Sequence, residues 1–134
     1  MVSLSKAPRE AKSCLRNKLG EMYSLRRGHR APLFLQNLSA LVLGVATYSM
    51  NPFGMILSES EGIVGVVAEK KYGELLGVHM IGKAASEMAG LAVLAIQMRA
   101  TLAQLSRTCF PHPTLSESLT EAARDALGNP IYLP

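Results

Sequence analysis

Apolar and polar positions divide this chain into stretches of different period. Gly62-Ile-Val-Gly-Val-Val-Ala68 is a short β-branched run, and the polar turn Glu69-Lys-Lys-Tyr-Gly73 follows it. Glu74-Leu-Leu-Gly-Val-His-Met-Ile81 forms a second run that ends at Gly82. Two apolar runs joined by a Gly-containing polar loop predict a β-hairpin. Neither run alternates cleanly, so both faces of the sheet are expected to be covered. Upstream, Val42–Met50 carries Val, Thr and Tyr and reads as a further buried strand.

Beyond Gly82 the period changes. Met88, Leu91, Ala92, Ala95, Ile96 and Arg99 fit a helix from about Ala84 to Met98. Its stretch Met88–Ile96 is apolar nearly all round, which predicts burial on more than one side and, in so small a domain, self-association. A short helical turn is expected from Arg99-Ala-Thr101 through Leu105, and Pro111 and Pro113 impose a stiff, irregular segment. Thr114 can cap a last helix, with Glu117 three positions on as in a capping box. Gly128 suits its C-terminus, and Pro130 follows where a helix cannot continue. These elements make an α+β domain: a small, mostly antiparallel sheet from residues 45–50, 62–69 and 74–81, packed against helices near 84–98 and 116–127.

The stretch from Ala31 to Ser58 has no charged residue, and Arg26, Arg27 and Arg30 precede it like a positive-inside flank. Gln36, Asn37, Ser39, Thr47, Ser49 and Asn51 break the run, and Pro32 and Pro52 bracket it. A span needs about 20 predominantly apolar residues, so a buried strand is the better account and a membrane partner is not expected.

Composition narrows the classes. At 134 residues, 49% hydrophobic and 18% charged, the chain can bury one core. The net charge of +4 is unevenly spread: residues 1–30 carry +6 and residues 31–134 carry −2. The basic character belongs to an N-terminal arm, read as a solvated extension, and with no Trp and 5% aromatic residues no nucleic-acid partner is expected. Cys14 and Cys109 are too few for a disulfide scaffold and show no metal-ligand spacing. With no signal peptide before the early charges Arg9, Glu10, Lys12 and Arg16, a reducing, cytoplasmic setting is expected.

No GxGxxG, P-loop, GxSxG or HExxH motif occurs in the chain. One constellation stands out: Cys109-Phe-Pro-His-Pro-Thr-Leu-Ser-Glu117. His112 lies between two prolines, so its backbone is stiff, and Glu117 falls early in the next helix. A carboxylate there can fold back onto the imidazole N–H and fix its tautomer, the arrangement of a general base with its orienter. The plainer alternative is a histidine beside a capping-box glutamate. Cys109, three residues before His112, could form a thiolate–imidazole pair, but a small buried hydrophobe is the better reading. His79 sits in an apolar strand and reads as structural, and His29 belongs to the basic arm.

His-Pro-Thr-Leu-Ser-Glu at 112–117, Glu121-Ala-Ala123 and Asn129-Pro-Ile-Tyr132 resemble the end of dihydrolipoamide dehydrogenases. The likeness extends upstream through Glu61-Gly-Ile-Val64, Leu76-Gly-Val-His-Met-Ile-Gly82, Ala85-Ser-Glu87, Leu94-Ala-Ile96 and Ala100-Thr101. Together the blocks resemble the C-terminal dimerisation domain of the FAD-dependent pyridine-nucleotide-disulfide oxidoreductases over residues 45–134, with residues 1–44 as a non-matching extension. The resemblance implies an antiparallel sheet with helices and an obligate homodimer. It implies a His-Glu pair reaching into the other subunit's site, beside a flavin and a CxxxxC disulfide. His112 would be the acid/base for a dihydrolipoyl substrate, Glu117 its partner, and the bond before Pro113 a constrained one, with the cis form open to it. FAD and NAD would be held by domains this chain lacks, with only His112 and Pro113 near a partner's flavin. Gly65 stands where the family often has Lys, and Asn51-Pro-Phe-Gly54 replaces the usual Asn-x-Arg-Ala.

Two classes of function stay open. One is the interface domain of a dihydrolipoamide-dehydrogenase-like flavoenzyme, inactive alone and working as a homodimer or with a separate FAD/NAD-domain chain. The other is a non-catalytic dimerisation or interaction module from a truncated or rearranged gene.

Overall fold

The computed structural model of the chain describes residues 40–132. The basic arm with Cys14 and His29 lies outside the described residues. Strands β1 (Leu41–Thr47), β2 (Ile63–Glu69) and β3 (Leu75–Ile81) form an antiparallel sheet in the order β1-β2-β3. Four helices accompany it: α1 (Pro52–Ile56), α2 (Ala85–Gln97), α3 (Leu102–Arg107) and α4 (Glu117–Ala126). The fold is α+β, as the sequence pattern predicts.

The β2–β3 hairpin forms with Val66 opposite Val78 and a register shift between Val67 and Ala68. Its turn is held by the Glu69 carboxylate, which accepts the N–H groups of Lys71 and Tyr72, and Gly73 takes φ +71° there. Val66 and Val67 point to opposite faces and both are fully buried, so the sheet is covered on both sides along β2.

The first strand departs from expectation. It begins at Leu41 and ends at Thr47, and Tyr48–Met50 fold into a 3₁₀ turn instead of continuing to residue 50. Tyr48 is the reason. Its N–H donates to the Gly62 carbonyl and its hydroxyl to the Lys83 carbonyl, both at 2.8 Å. A Cβ on Gly62 would lie 2.0 Å from the tyrosine ring, so only glycine admits the ring at this position. The fully buried Tyr48 thus caps the end of the sheet; its aromatic, strand-like propensity is overridden by packing.

Below the sheet, the core gathers Val64, Val66, Leu75, Leu102, Leu105 and Leu119. Helix α4 lies against β1 at backbone contact distance, and a Cβ added to Gly44 would sit 1.9 Å from the Ala122 carbonyl oxygen. The N–H of Val45 is met by Asp125 Oδ2 at 2.8 Å. At its far end, Asn129 N–H bonds to Arg124 O and Gly128 N–H to Asp125 O, with Gly128 at φ +78°. That is the Schellman closure expected from Gly128. The chain then turns back, and the N–H groups of Ile131 and Tyr132 both donate to Oε1 of the buried Glu121 at 2.7 Å.

Helix α3 begins in a full capping box, with Thr101 and Gln104 each accepting the other's backbone N–H. It runs to Arg107, two residues beyond the expected turn. Helix α2 matches its expected span within a residue at each end, but its burial does not match. Met88 and Ala92 are buried, whereas Val93 (51% exposed), Leu94 (57%) and, just past the helix, Met98 (73%) face outward. Within one chain it is covered on one side only.

Candidate functional site

The segment between α3 and α4 carries His112, and three devices fix its path. The His112–Pro113 peptide is cis. Glu117, the first residue of α4, folds back over the loop: Oε2 accepts the Thr114 N–H at 2.8 Å, and Oε1 lies 2.9 Å from His112 Nδ1. Asn51 grips the loop from the opposite side. Its Oδ1 caps α1 by accepting the N–H groups of Phe53 (2.9 Å) and Gly54 (3.0 Å). Its Nδ2 donates to the Thr114 carbonyl and to Ser118 Oγ, each at 3.0 Å.

The structure therefore brings His112 and Glu117 together as the spacing predicts. The histidine side chain is 60% exposed and the glutamate 20%. With Nδ1–H donating to a carboxylate, Nε2 is the nitrogen left uncommitted to Glu117 and able to exchange a proton with a substrate.

The capping box expected at Thr114 forms only by half. Glu117 accepts the Thr114 N–H, but Thr114 Oγ1 is buried without a hydrogen-bond partner, and the helix starts two residues later than a Thr114 cap would require. Leu115 and Ser116 make a turn closed by Ser118 N–H to Leu115 O and Leu119 N–H to Ser116 O instead. The glutamate is thereby shared between the loop backbone and the imidazole.

Cys109 corrects another expectation: it is free and exposed, not a buried hydrophobe. It lies past the end of α3, after the extended Thr108, in the run toward Pro111. His79 is half-buried in β3 opposite Gly65, with Nε2 shielded and unpartnered, and burial pushes its pKa below the usual 6.5. Among the described residues no three His, Cys, Asp or Glu side chains group closely enough for a metal ion. No helix among them is long and apolar enough to cross a membrane.

Asn51 is the site residue that the sequence pattern does not single out. It reads as a polar interruption of an apolar stretch. A signal was present, since Asn followed by Pro is a favoured N-cap and N1 pair.

A cleft of about 250 Å³ opens beside this loop, lined by Phe53, Met88, Leu91, Leu115 and the carboxylate of Glu87 among others. It offers no basic side chain and no glycine-rich cradle of N–H groups to a pyrophosphate, so it does not fit a dinucleotide.

With this geometry in place, the likeness to known proteins can be set beside it. Residues 35–123 match the family of pyridine nucleotide-disulphide oxidoreductase dimerisation domains. The chain belongs to that family. Among individual relatives, a dihydrolipoyl dehydrogenase of Rhizobium etli is 41% identical over 86 residues, covering 64% of this chain and 18% of that protein. Dihydrolipoyl dehydrogenase 3 of Pseudomonas aeruginosa is 42% identical, with the same coverage of each chain. The crystal structure of LpdA from Mycobacterium tuberculosis superposes with a TM-score of 0.60 at 28% identity, over 63% of this chain and 18% of that one. The chain thus spans about a fifth of the length of these relatives.

Proposed function

We propose that this chain is the dimerisation domain of a dihydrolipoyl-dehydrogenase-like flavoenzyme and supplies His112 and Glu117 as an acid/base pair to a partner subunit. The observation that supports the reading is the 2.9 Å contact from His112 Nδ1 to Glu117 Oε1 on a ring that is otherwise open to solvent. FAD and NAD are assigned to domains outside the described residues, because the cleft lined by Leu115 and Ser116 does not fit a dinucleotide. The resident groups' own part is a proton transfer. His112 Nε2 takes the proton from a thiol of a dihydrolipoyl substrate, and the thiolate left behind is the nucleophile. Glu117 stays in place, holding the ring in the tautomer that leaves Nε2 open.

The partner in this reading is a second copy of the chain, seated on the outward face of α2, where Val93, Leu94 and Met98 are bare. A reducing, cytoplasmic setting belongs to the same reading, since two cysteines are too few for a disulfide scaffold.

The test is turnover in an assembly that joins this chain to flavin- and nicotinamide-binding domains. His112→Gln should lower turnover by about 10²–10⁴, the usual contribution of a general acid–base, with the fold intact. Glu117→Gln should cost less, since an amide can still orient the ring. Normal turnover in the His112 variant would leave the non-catalytic dimerisation module as the function.

A further inference from the structure

We infer that Asn51 is the positioning residue for His112, acting through the Thr114 peptide and the Glu117 carboxylate. The inference deepens the proposed function by naming what sets the geometry of its acid/base pair.

The Thr114 peptide unit is held at both ends. Its N–H is taken by Glu117 Oε2 at 2.8 Å and its carbonyl by Asn51 Nδ2 at 3.0 Å. The same glutamate uses its other oxygen for His112 Nδ1. Moving the Thr114 peptide therefore moves the carboxylate, and moving the carboxylate frees the ring. The His112 ring is 60% exposed and rests on the Glu117 carboxylate, not on core packing, so its orientation follows whatever holds that carboxylate and the Thr114 peptide. Asn51 can supply that position because it is itself buried and tied down. Its Oδ1 takes two N–H groups of α1, its Nδ2 gives both hydrogens away, and its own backbone N–H donates to Tyr48 O at 3.1 Å. All the hydrogen-bonding capacity of the amide is used. The tie runs from the end of β1, across α1, to the turn before α4: parts of the chain 63 residues apart are joined at one side chain.

An amide is required here, because the site needs an acceptor toward α1 and a donor toward Thr114 at once. Aspartate keeps the acceptor and remains a good N-cap, but presents an oxygen to the Thr114 carbonyl. Ser118 can turn its hydroxyl to donate to that oxygen; the Thr114 carbonyl has no such remedy.

The experiment uses the full 134-residue chain labelled with nitrogen-15. The readouts are the two ring-nitrogen shifts of His112 and the hydrogen-exchange rate of the Thr114 amide. In the unaltered chain, Nδ1 should carry the hydrogen and Nε2 should show a lone pair. In Asn51→Asp the two nitrogens should move toward averaged values. The Thr114 amide should exchange about ten-fold faster, the factor carried by one ordinary hydrogen bond. Val66→Ala, which loosens the core but removes none of the hydrogen bonds joining Asn51, Thr114, Glu117 and His112, should leave the ring shifts unchanged. Asn51→Ser, a short neutral cap, serves in place of the aspartate variant if that chain does not fold.

A folded Asn51 variant with unaltered His112 shifts would overturn the inference, as would an equal change in Val66→Ala. Neither readout depends on turnover, so the positioning role and the acid/base role stand or fall separately.

Discussion

Helices α2 and α4 are of similar length and lie in one small domain, yet they meet their surroundings in opposite ways. Helix α4 is completed within the chain. Leu119, Ala122 and Ala123 are fully buried, and Glu117, Glu121 and Asp125 each accept backbone N–H groups from other segments. Helix α2 turns Met88 and Ala92 to the core and leaves Val93 and Leu94 bare. An amphipathic helix records that its partners are in its own chain; a helix apolar all round records a second surface that lies elsewhere. That surplus is what the proposed second copy would cover.

Cutting into α4 should have the largest effect. Leu119→Ala should destabilise the chain by about 2–5 kcal/mol in denaturant titration, the usual cost of a fully buried leucine. A loss below about 1 kcal/mol would show that α4 is not the closed side of the domain. Gly44→Ala attacks the same side from the sheet. The added methyl meets backbone, not a flexible side chain, so about 1–3 kcal/mol should be lost as α4 shifts off β1. An unchanged melting midpoint would break the claim of backbone contact.

On α2 the expectation reverses. Leu94→Ser should change single-chain stability by less than about 0.5 kcal/mol. It should also weaken self-association about ten-fold, read by sedimentation over a concentration series. Equal association of both chains would place the dimer seam elsewhere.

The smallest effect concerns His79 on β3, the strand beside α2. Burial lowers its folded pKa below the unfolded value of about 6.5, so the unfolded chain binds more protons under mildly acidic conditions. Stability should therefore decline as pH falls below about 6.5, and His79→Gln should flatten that part of the curve. Parallel curves for the two proteins would assign the acid sensitivity to other groups.

The readable parts of this chain were those governed by local rules. The hairpin, the long helix α2 and the Gly128 closure follow from period and turn chemistry over neighbouring residues, and all three form. The errors arise where distant contacts decide. Tyr48–Met50 look like a continuation of the strand, but the tyrosine is claimed by Gly62 and the Lys83 carbonyl. Cys109 belongs to a residue type that is usually buried, yet it sits on the way to two prolines that carry it off the core. At the site, His112 and Glu117 could be paired from a five-residue separation, which one loop and one helical turn bridge. Asn51 could not be joined to them, because nothing local indicates which peptide its amide meets after 63 residues.

The clasp on Glu121 has a consequence for the end of the described chain. It holds residues 131 and 132 by their main-chain N–H groups, with Ile131 mostly exposed and Tyr132 partly covered. What the carboxylate recognises is therefore the presence of two consecutive amide hydrogens, not the identity of the residues that carry them. Nineteen of the twenty amino acids present that hydrogen, and proline alone does not. For the two hydrogen bonds of the clasp, any residue but proline serves at either position. Pro130, one step earlier, marks the last place where a missing amide hydrogen costs this clasp nothing.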